Sequence, residues 1–195
     1  MKASARAVAQ KERILAAAEQ CFFEHGFHAA SMGTIAQTAD MSPGLIYRYF
    51  ASKNAIIQAI IDRQLGEARD NIRRLSSSED VVAAIVTIFG QWKTLNARTM
   101  NAALFLEMTA EATRDKDIAA AVRAADTSIR TELHEFLKHR LRTGRASGTR
   151  TTAKSRLILL QSLIEGLAVR AIREPDLDDD TVRRALEKFV PLLVA

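Results

Sequence analysis

Eight glycines and three prolines are the only strong helix breakers in this chain of 195 residues. With so few interruptions the sequence reads as long unbroken segments. Within them apolar residues recur at spacings of three and four, the period of one helix face. No run of four to eight residues alternates as a solvent-facing strand does. The expected fold class is therefore all-α. Hydrophobic residues make up 48% and charged residues 26% of the chain, the balance of a globular protein with a core of its own. The one cysteine, Cys21, can close no internal disulfide and no cysteine-based metal cluster, which fits a reducing, cytoplasmic compartment. Residues 1–13 are too polar for a signal peptide. The longest aliphatic stretch, from Leu157 to Ile172, is interrupted by Gln161, Glu165 and Arg170, so no membrane span is expected. A net charge of +5 permits an anionic partner without requiring one.

The periodicity predicts a first helix over about 7–25, with Ile14, Leu15, Ala18, Cys21 and Phe22 on one stripe and Gly26 at its end. Ser31 is placed to cap a short second helix carrying Met32, Ile35, Ala36 and Ala39. After the break at Asp40, Met41 and Ser42, Pro43 stands where the first turn of a third helix begins, the position proline tolerates best. That helix is expected over about 43–50. Ser52 caps a fourth, with Ile56, Ile57, Ile60, Ile61 and Leu65 along one side. Ser76, Ser77 and Ser78 read as a linker. Longer helices follow at about 79–98, 101–113, 115–142, 153–173 and 178–193, with a loop from Thr143 to Thr152. The domain reading is residues 1–52 as a trihelical unit, 53–75 as a connecting helix and 76–195 as a larger helical bundle.

Two short helices joined by a three-residue turn and packed on a longer first helix form a helix-turn-helix of the DNA-binding kind. Ala36 is small where two helix axes approach. Ile35, Met41 and Ile46 are apolar where the pair packs inward. Both tyrosines of the chain, Tyr47 and Tyr49, fall in one helical turn. A phenol can donate to a phosphate while its ring lies on the sugar edge. Two residues apart, the tyrosines point about 200° apart and reach different walls of a groove. The candidate DNA-contacting residues are Ser31, Thr34, Pro43, Gly44, Leu45, Tyr47, Arg48, Tyr49 and Lys53. Each has a plainer alternative: Ser31 as a helix cap, the others as a solvated helix face. For Lys2, Arg6, Lys11 and Arg13 the plainer reading, a disordered tail and a solvated first turn, is preferred.

Residues 10–55 closely resemble the DNA-binding domain of the TetR family of bacterial transcription regulators. The resemblance is carried by Ile14-Leu15-Ala16-Ala17-Ala18, Phe23-x-x-x-Gly26-Phe27, Ser31-Met32-x-x-Ile35-Ala36, Ser42-x-Gly44-x-Ile46-Tyr47-x-Tyr49-Phe50 and Ser52-Lys53. More loosely, Leu106-Glu107-x-x-Ala110-Glu111-Ala112-x-Arg114-Asp115 is similar to the effector domains of AcrR- and BetI-like members. The resemblance implies a homodimer on a palindromic double-stranded DNA operator and a small-molecule effector, of unknown identity, held in the C-terminal bundle. Repression is the family's commoner mode, and no residue excludes activation. Two positions depart from the pattern. Asp40 stands where the turn usually carries Gly, and Asp tolerates a left-handed backbone better than most residues. Pro43 stands where the recognition helix often begins with a polar residue.

In the bundle, Phe89, Trp92, Phe105 and Met108 are core by helical spacing, and a ligand cavity needs the same kind of lining. Glu107 and Glu165 interrupt apolar stretches, and three fates stay open for them: pointing outward, pairing with an arginine such as Arg98 or Arg170, or facing a ligand. These six are the candidate effector residues. Apolar residues cover more of each of the last two helices than one partner helix would hide, and Gly166 would let a crossing helix come close; Leu160, Leu163, Gly166, Leu167, Val182, Leu186 and Phe189 are the expected dimer interface. No nucleophile-base pair, phosphate loop or carboxylate pair stands out, and the histidines are poorly spaced for a metal. No enzyme activity, cofactor or metal is expected. The competing reading is a helical small-molecule carrier with a vestigial helix-turn-helix.

Overall fold

A computed structural model describes residues 2–93, 102–143 and 152–194, with the side chains of residues 2–4 and 143 excepted. The described residues form helices and no strand: α1 (Lys2–Ala29), α2 (Met32–Thr38), α3 (Pro43–Tyr47), α4 (Lys53–Ser77), α5 (Val81–Lys93), α6 (Ala102–Glu111), α7 (Lys116–Thr143), α8 (Ala153–Arg173) and α9 (Asp179–Val194). None is long and apolar enough to cross a membrane. Arg98, most of the expected loop over 143–152 and the end of the expected fifth helix lie outside the described residues.

The chain divides into two compact units. The first gathers Met1–Gln64 and Asn96–Arg123, the second Leu65–Leu95 and Ala124–Ala195. The cut differs from the sequence division, because α6 and the first turns of α7 cluster with the N-terminal helices. α4 and α7 are each continuous from one unit into the other.

The first unit is built on α1. Ile14, Ala18, Cys21 and Phe22 are buried on its inner face, together with Ile35 and Ala36 of α2, Ile46 of α3 and Ile56, Ile57 and Ile60 of α4. The Phe22 and Phe27 rings lie 4.4 Å apart at 59°, a close tilted pair. The Cys21 thiol is buried beside the Thr38 hydroxyl at 3.2 Å. α1 begins at Lys2 rather than near residue 7, so the expected basic tail is helical from that residue on. Its regular helix stops at Gly26, which takes φ 73° and ψ 166°, a conformation that glycine alone adopts without strain. Asp115 ends the α6–α7 corner and accepts from the backbone N–H groups of Asp117 and Ile118. It also accepts from the Asn54 side chain of α4 at 3.0 Å.

In the second unit the serine linker is shorter than expected. Ser76 donates to the Ile72 carbonyl at 2.8 Å and Ser77 to that of Arg74 at 3.2 Å. Both hydroxyls bond back along the helix, and α4 runs on to Ser77. Asp80 then caps α5 through the Ala83 N–H. Lys93 of α5 reaches the Leu177 carbonyl and the Asp179 carboxylate at the start of α9. Leu160 of α8 is fully buried, as are, nearly, Val182 and Leu186 of α9. Those three of the expected interface residues are covered within the bundle of the single chain. The large hydrophobic side chains left exposed on these helices are Ile158, Leu159, Ile172, Phe189 and Leu192.

Asp115 carries a pH prediction. Its carboxyl is held below the ordinary value of 3.8, chiefly by the Ile118 N–H and, less, by Asn54 and the Asp117 N–H. A depressed carboxyl contributes stability that is complete above the unfolded value and lost as pH falls through the folded one. Thermal melting of wild type is therefore expected to decline below about pH 4, and Asp115→Asn to flatten that decline. Identical pH profiles would contradict the assignment.

Candidate nucleic-acid interface

The turn between α2 and α3 is closed by a pair of backbone bonds. Met41 N–H donates to the Ala36 carbonyl at 2.9 Å and Asp40 N–H to that of Gln37 at 3.0 Å. This is the Schellman pattern, which needs a left-handed residue at its corner. Asp40 is that residue, with φ 50°, in the place where the family usually has Gly. Arg13 of α1 donates to both the Asp40 carbonyl (3.2 Å) and its carboxylate (3.0 Å). The corner is thus pinned to α1, and Arg13 acts there as a brace.

Both short helices are capped by serine. Ser31 accepts from Thr34 N–H at 3.0 Å and exchanges a hydroxyl bond with the Thr34 side chain at 2.8 Å. Ser42 accepts from Leu45 N–H at 3.3 Å, and Pro43 occupies the first turn of α3. A five-residue helix has little stability alone, so these caps and the burial of Ile46 hold it. α3 ends at Tyr47, earlier than expected. Single turns formed by the N–H groups of Arg48, Tyr49 and Phe50 carry the chain to the buried Phe50.

The candidate contact residues divide by exposure. Ser31, Pro43, Gly44, Tyr47 and Arg48 are exposed, Tyr47 at 55%. Thr34, Leu45, Tyr49 and Lys53 are half-buried. Tyr47 therefore offers more of its side chain than Tyr49 does. The Lys53 ammonium donates to the carbonyls of Phe27 at 2.6 Å and Ala30 at 3.1 Å. It ties the start of α4 to the end of α1, and one N–H of the three remains to point elsewhere. That bond and the Arg13 brace were not foreseen, because backbone carbonyls leave no mark in a residue pattern.

At Gly44 an added Cβ would meet nothing within 4 Å. The fold itself has no need of glycine there. Gly44→Ala is expected to keep or raise the melting temperature, since Ala is favoured by up to about 1 kcal/mol inside a helix. If the bare backbone serves close approach to a groove, the same variant loses DNA affinity. Unchanged DNA affinity would remove Gly44 from the interface.

The six residues considered for an effector do not fall in one unit. Phe89 and Trp92 are buried on α5, and Glu165 is exposed on α8 with the Gln161 amide at 3.0 Å. Met108 is buried, and Phe105 and Glu107 half-buried, on α6 in the other unit. Glu107 Oε2 lies 3.8 Å from where a Gly26 Cβ would stand.

Comparisons with known proteins agree over both halves of the chain. A sequence model of bacterial regulatory proteins of the tetR family matches residues 14–60. One of the BetI-type transcriptional repressor C-terminal domain matches residues 79–195. The transcriptional regulator UidR of Escherichia coli K12 is 35% identical over 162 residues, 76% of either chain. The structure of Salmonella enterica GusR superposes with a TM-score of 0.71 at 29% identity, covering 91% of this chain and 93% of that one. A transcriptional regulator from Saccharomonospora viridis, solved in complex with choline, shares the fold at 22% identity, with a TM-score of 0.71 over 93% of this chain and 95% of its own. The chain belongs to the TetR family of bacterial transcriptional regulators, DNA-binding repressors with a helix-turn-helix at the N-terminus and, here, a BetI-type C-terminal half.

Proposed function

We propose that the protein is a ligand-released repressor that binds a palindromic operator as a two-fold dimer. The observation that carries the DNA-reading part is the braced helix-turn-helix, with Tyr47 and Arg48 exposed on and just after α3. In this reading residues 1–52 read DNA, residues 53–75 connect, and residues 76–195 hold the effector and the dimer contact. Ser31, Thr34, Tyr47, Tyr49 and Lys53 contact phosphates, while Pro43, Gly44, Leu45 and Arg48 face the groove. Selection of bound sequences from a random DNA pool tests it. A palindrome is expected, and recovery of no preferred sequence would refute it.

Base reading on this helix is sparse. Pro43 and Gly44 have no side-chain donor and Leu45 is apolar, so Leu45 is left with contact to a thymine methyl. Phosphate contacts and DNA shape then supply much of the affinity. Leu45→Ala is expected to lose discrimination at one thymine with little loss of total affinity. Tyr47→Phe is expected to weaken all sequences alike. Unchanged base ratios in Leu45→Ala would shift the reader to Arg48.

An effector is supported by Trp92. Its indole nitrogen is buried and has no hydrogen-bond partner among the described residues, an arrangement that costs about 1–3 kcal/mol until an acceptor arrives. The S. viridis relative carries choline, so this fold accommodates small molecules. The dimer is supported by Leu159 of α8 and Phe189 and Leu192 of α9, which are 53%, 62% and 68% exposed. Leu163 and Gly166 lie on the same face of α8 by helical spacing. A two-fold contact would match this face with its own copy.

A further inference from the structure

α4 carries a buried apolar stripe and is joined to α1 by one charged fork. The stripe is Ile56, Ile57, Ile60 and Ile61, all buried. Apolar contact is non-directional and does not by itself fix how far one helix has slid along another. The fork does. The Arg63 guanidinium pairs with the Glu19 carboxylate and, at 3.3 Å, with that of Glu12. Glu12 and Glu19 are seven residues apart, on one face of α1 and about two turns apart. The Glu19 side chain is only 9% exposed and that of Arg63 18%.

Replacing a buried ion pair by apolar residues of similar volume is often neutral for stability. Its best-attested use is to specify register. The position of this pair gives register a consequence. Arg63 stands one residue before the end of the segment of α4 that clusters with the head, which closes at Gln64. The helix it grips is the one whose Arg13 braces the helix-turn-helix corner at Asp40.

We infer that Arg63, through Glu19 and Glu12, is a positioning residue for operator recognition: it sets the register of α4 on α1, and so the presentation of α3, without touching DNA. This rests on the operator-binding reading above. The test compares wild type with the double variant Glu19→Leu/Arg63→Met and with the charge-exchanged variant Glu19→Arg/Arg63→Glu. The probes are the palindrome that wild type selects and a scrambled duplex at low salt. The apolar double variant is expected to melt no lower than wild type and to bind the scrambled duplex equally, since its phosphate contacts persist. Its affinity for the palindrome is expected to fall about tenfold, the loss that a single mismatched base pair brings. The charge-exchanged variant is expected to recover part of that loss. Wild-type affinity for the palindrome in the apolar variant would overturn the inference and leave the operator reading intact. Equal losses on both duplexes, or loss of helical signal in both variants, would assign the pair a folding role and overturn it as well. If wild type selects no palindrome, both readings fall.

Discussion

Leu159→Glu combined with Phe189→Glu is expected to convert the protein to monomers and to lower operator affinity by about 10²–10⁴-fold. The factor comes from linkage of two heads. Once one head is bound, the second sees its half-site at a local concentration of order millimolar, and a monomer forfeits that advantage. Both side chains are more than half exposed in the single chain, so the substitutions are expected to change the stability of one protomer by no more than about 0.5 kcal/mol. In a two-fold contact each substitution would instead occur twice, so that carboxylates from both protomers would be buried without a partner. Leu160→Ala makes the contrast. Leu160 is fully buried, and removing it is expected to cost about 2–5 kcal/mol of stability with the dimer retained. Sedimentation at micromolar concentration, melting and operator titration separate the two. A double variant that still sediments as wild type would move the interface elsewhere, and one that sediments as monomer with undiminished operator affinity would deny any need for the second head.

The sequence was informative where the physics is local. Helix starts are marked by capping hydroxyls and by Pro43, so Ser31, Ser52 and the first turn of α3 stand where the pattern places them. Asp40 was legible as the left-handed corner through the resemblance, which puts Gly there, together with the tolerance of Asp for that conformation. The buried stripes of α1 and α4 follow from period alone. What stayed hidden depends on partners distant in sequence. Leu160, Val182 and Leu186 share an apolar character with Leu159 and Phe189, and nothing in a one-helix pattern says which of them the bundle covers. The three serines at 76–78 look like a linker in composition, yet two of them bond back to the helix and prolong it. That Lys53 gives two of its three N–H donors to the carbonyls of Phe27 and Ala30 leaves no mark in the pattern either. The clustering of α6 with the N-terminal helices has no sequence mark at all, since the apolar side chains that bury it are those of any amphipathic helix.

Operator DNA is expected to weaken effector binding by about 5- to 150-fold, and the effector to weaken operator binding by the same factor. The range corresponds to a coupling of about 1–3 kcal/mol, and the equality is required by linkage. An effector shifts the heads only if it binds one head arrangement more tightly than the other. α4 leaves the first unit at Gln64 and α7 leaves it after Arg123, so two continuous helices join the units. A difference in affinity therefore has covalent routes along two helices, where the sequence alone had offered α4. Trp92 is the only tryptophan in the chain, so its emission reports on its own surroundings and provides a screen for compounds that bring an acceptor to the indole N–H. A compound found this way is then titrated by calorimetry into free protein and into the operator complex. Unequal affinities, with the ratio reproduced when operator is titrated in the presence and absence of the compound, are the expected outcome. Equal affinities in the two calorimetric titrations would rule out release by that compound, however tightly it binds, because a ligand indifferent to two states moves neither.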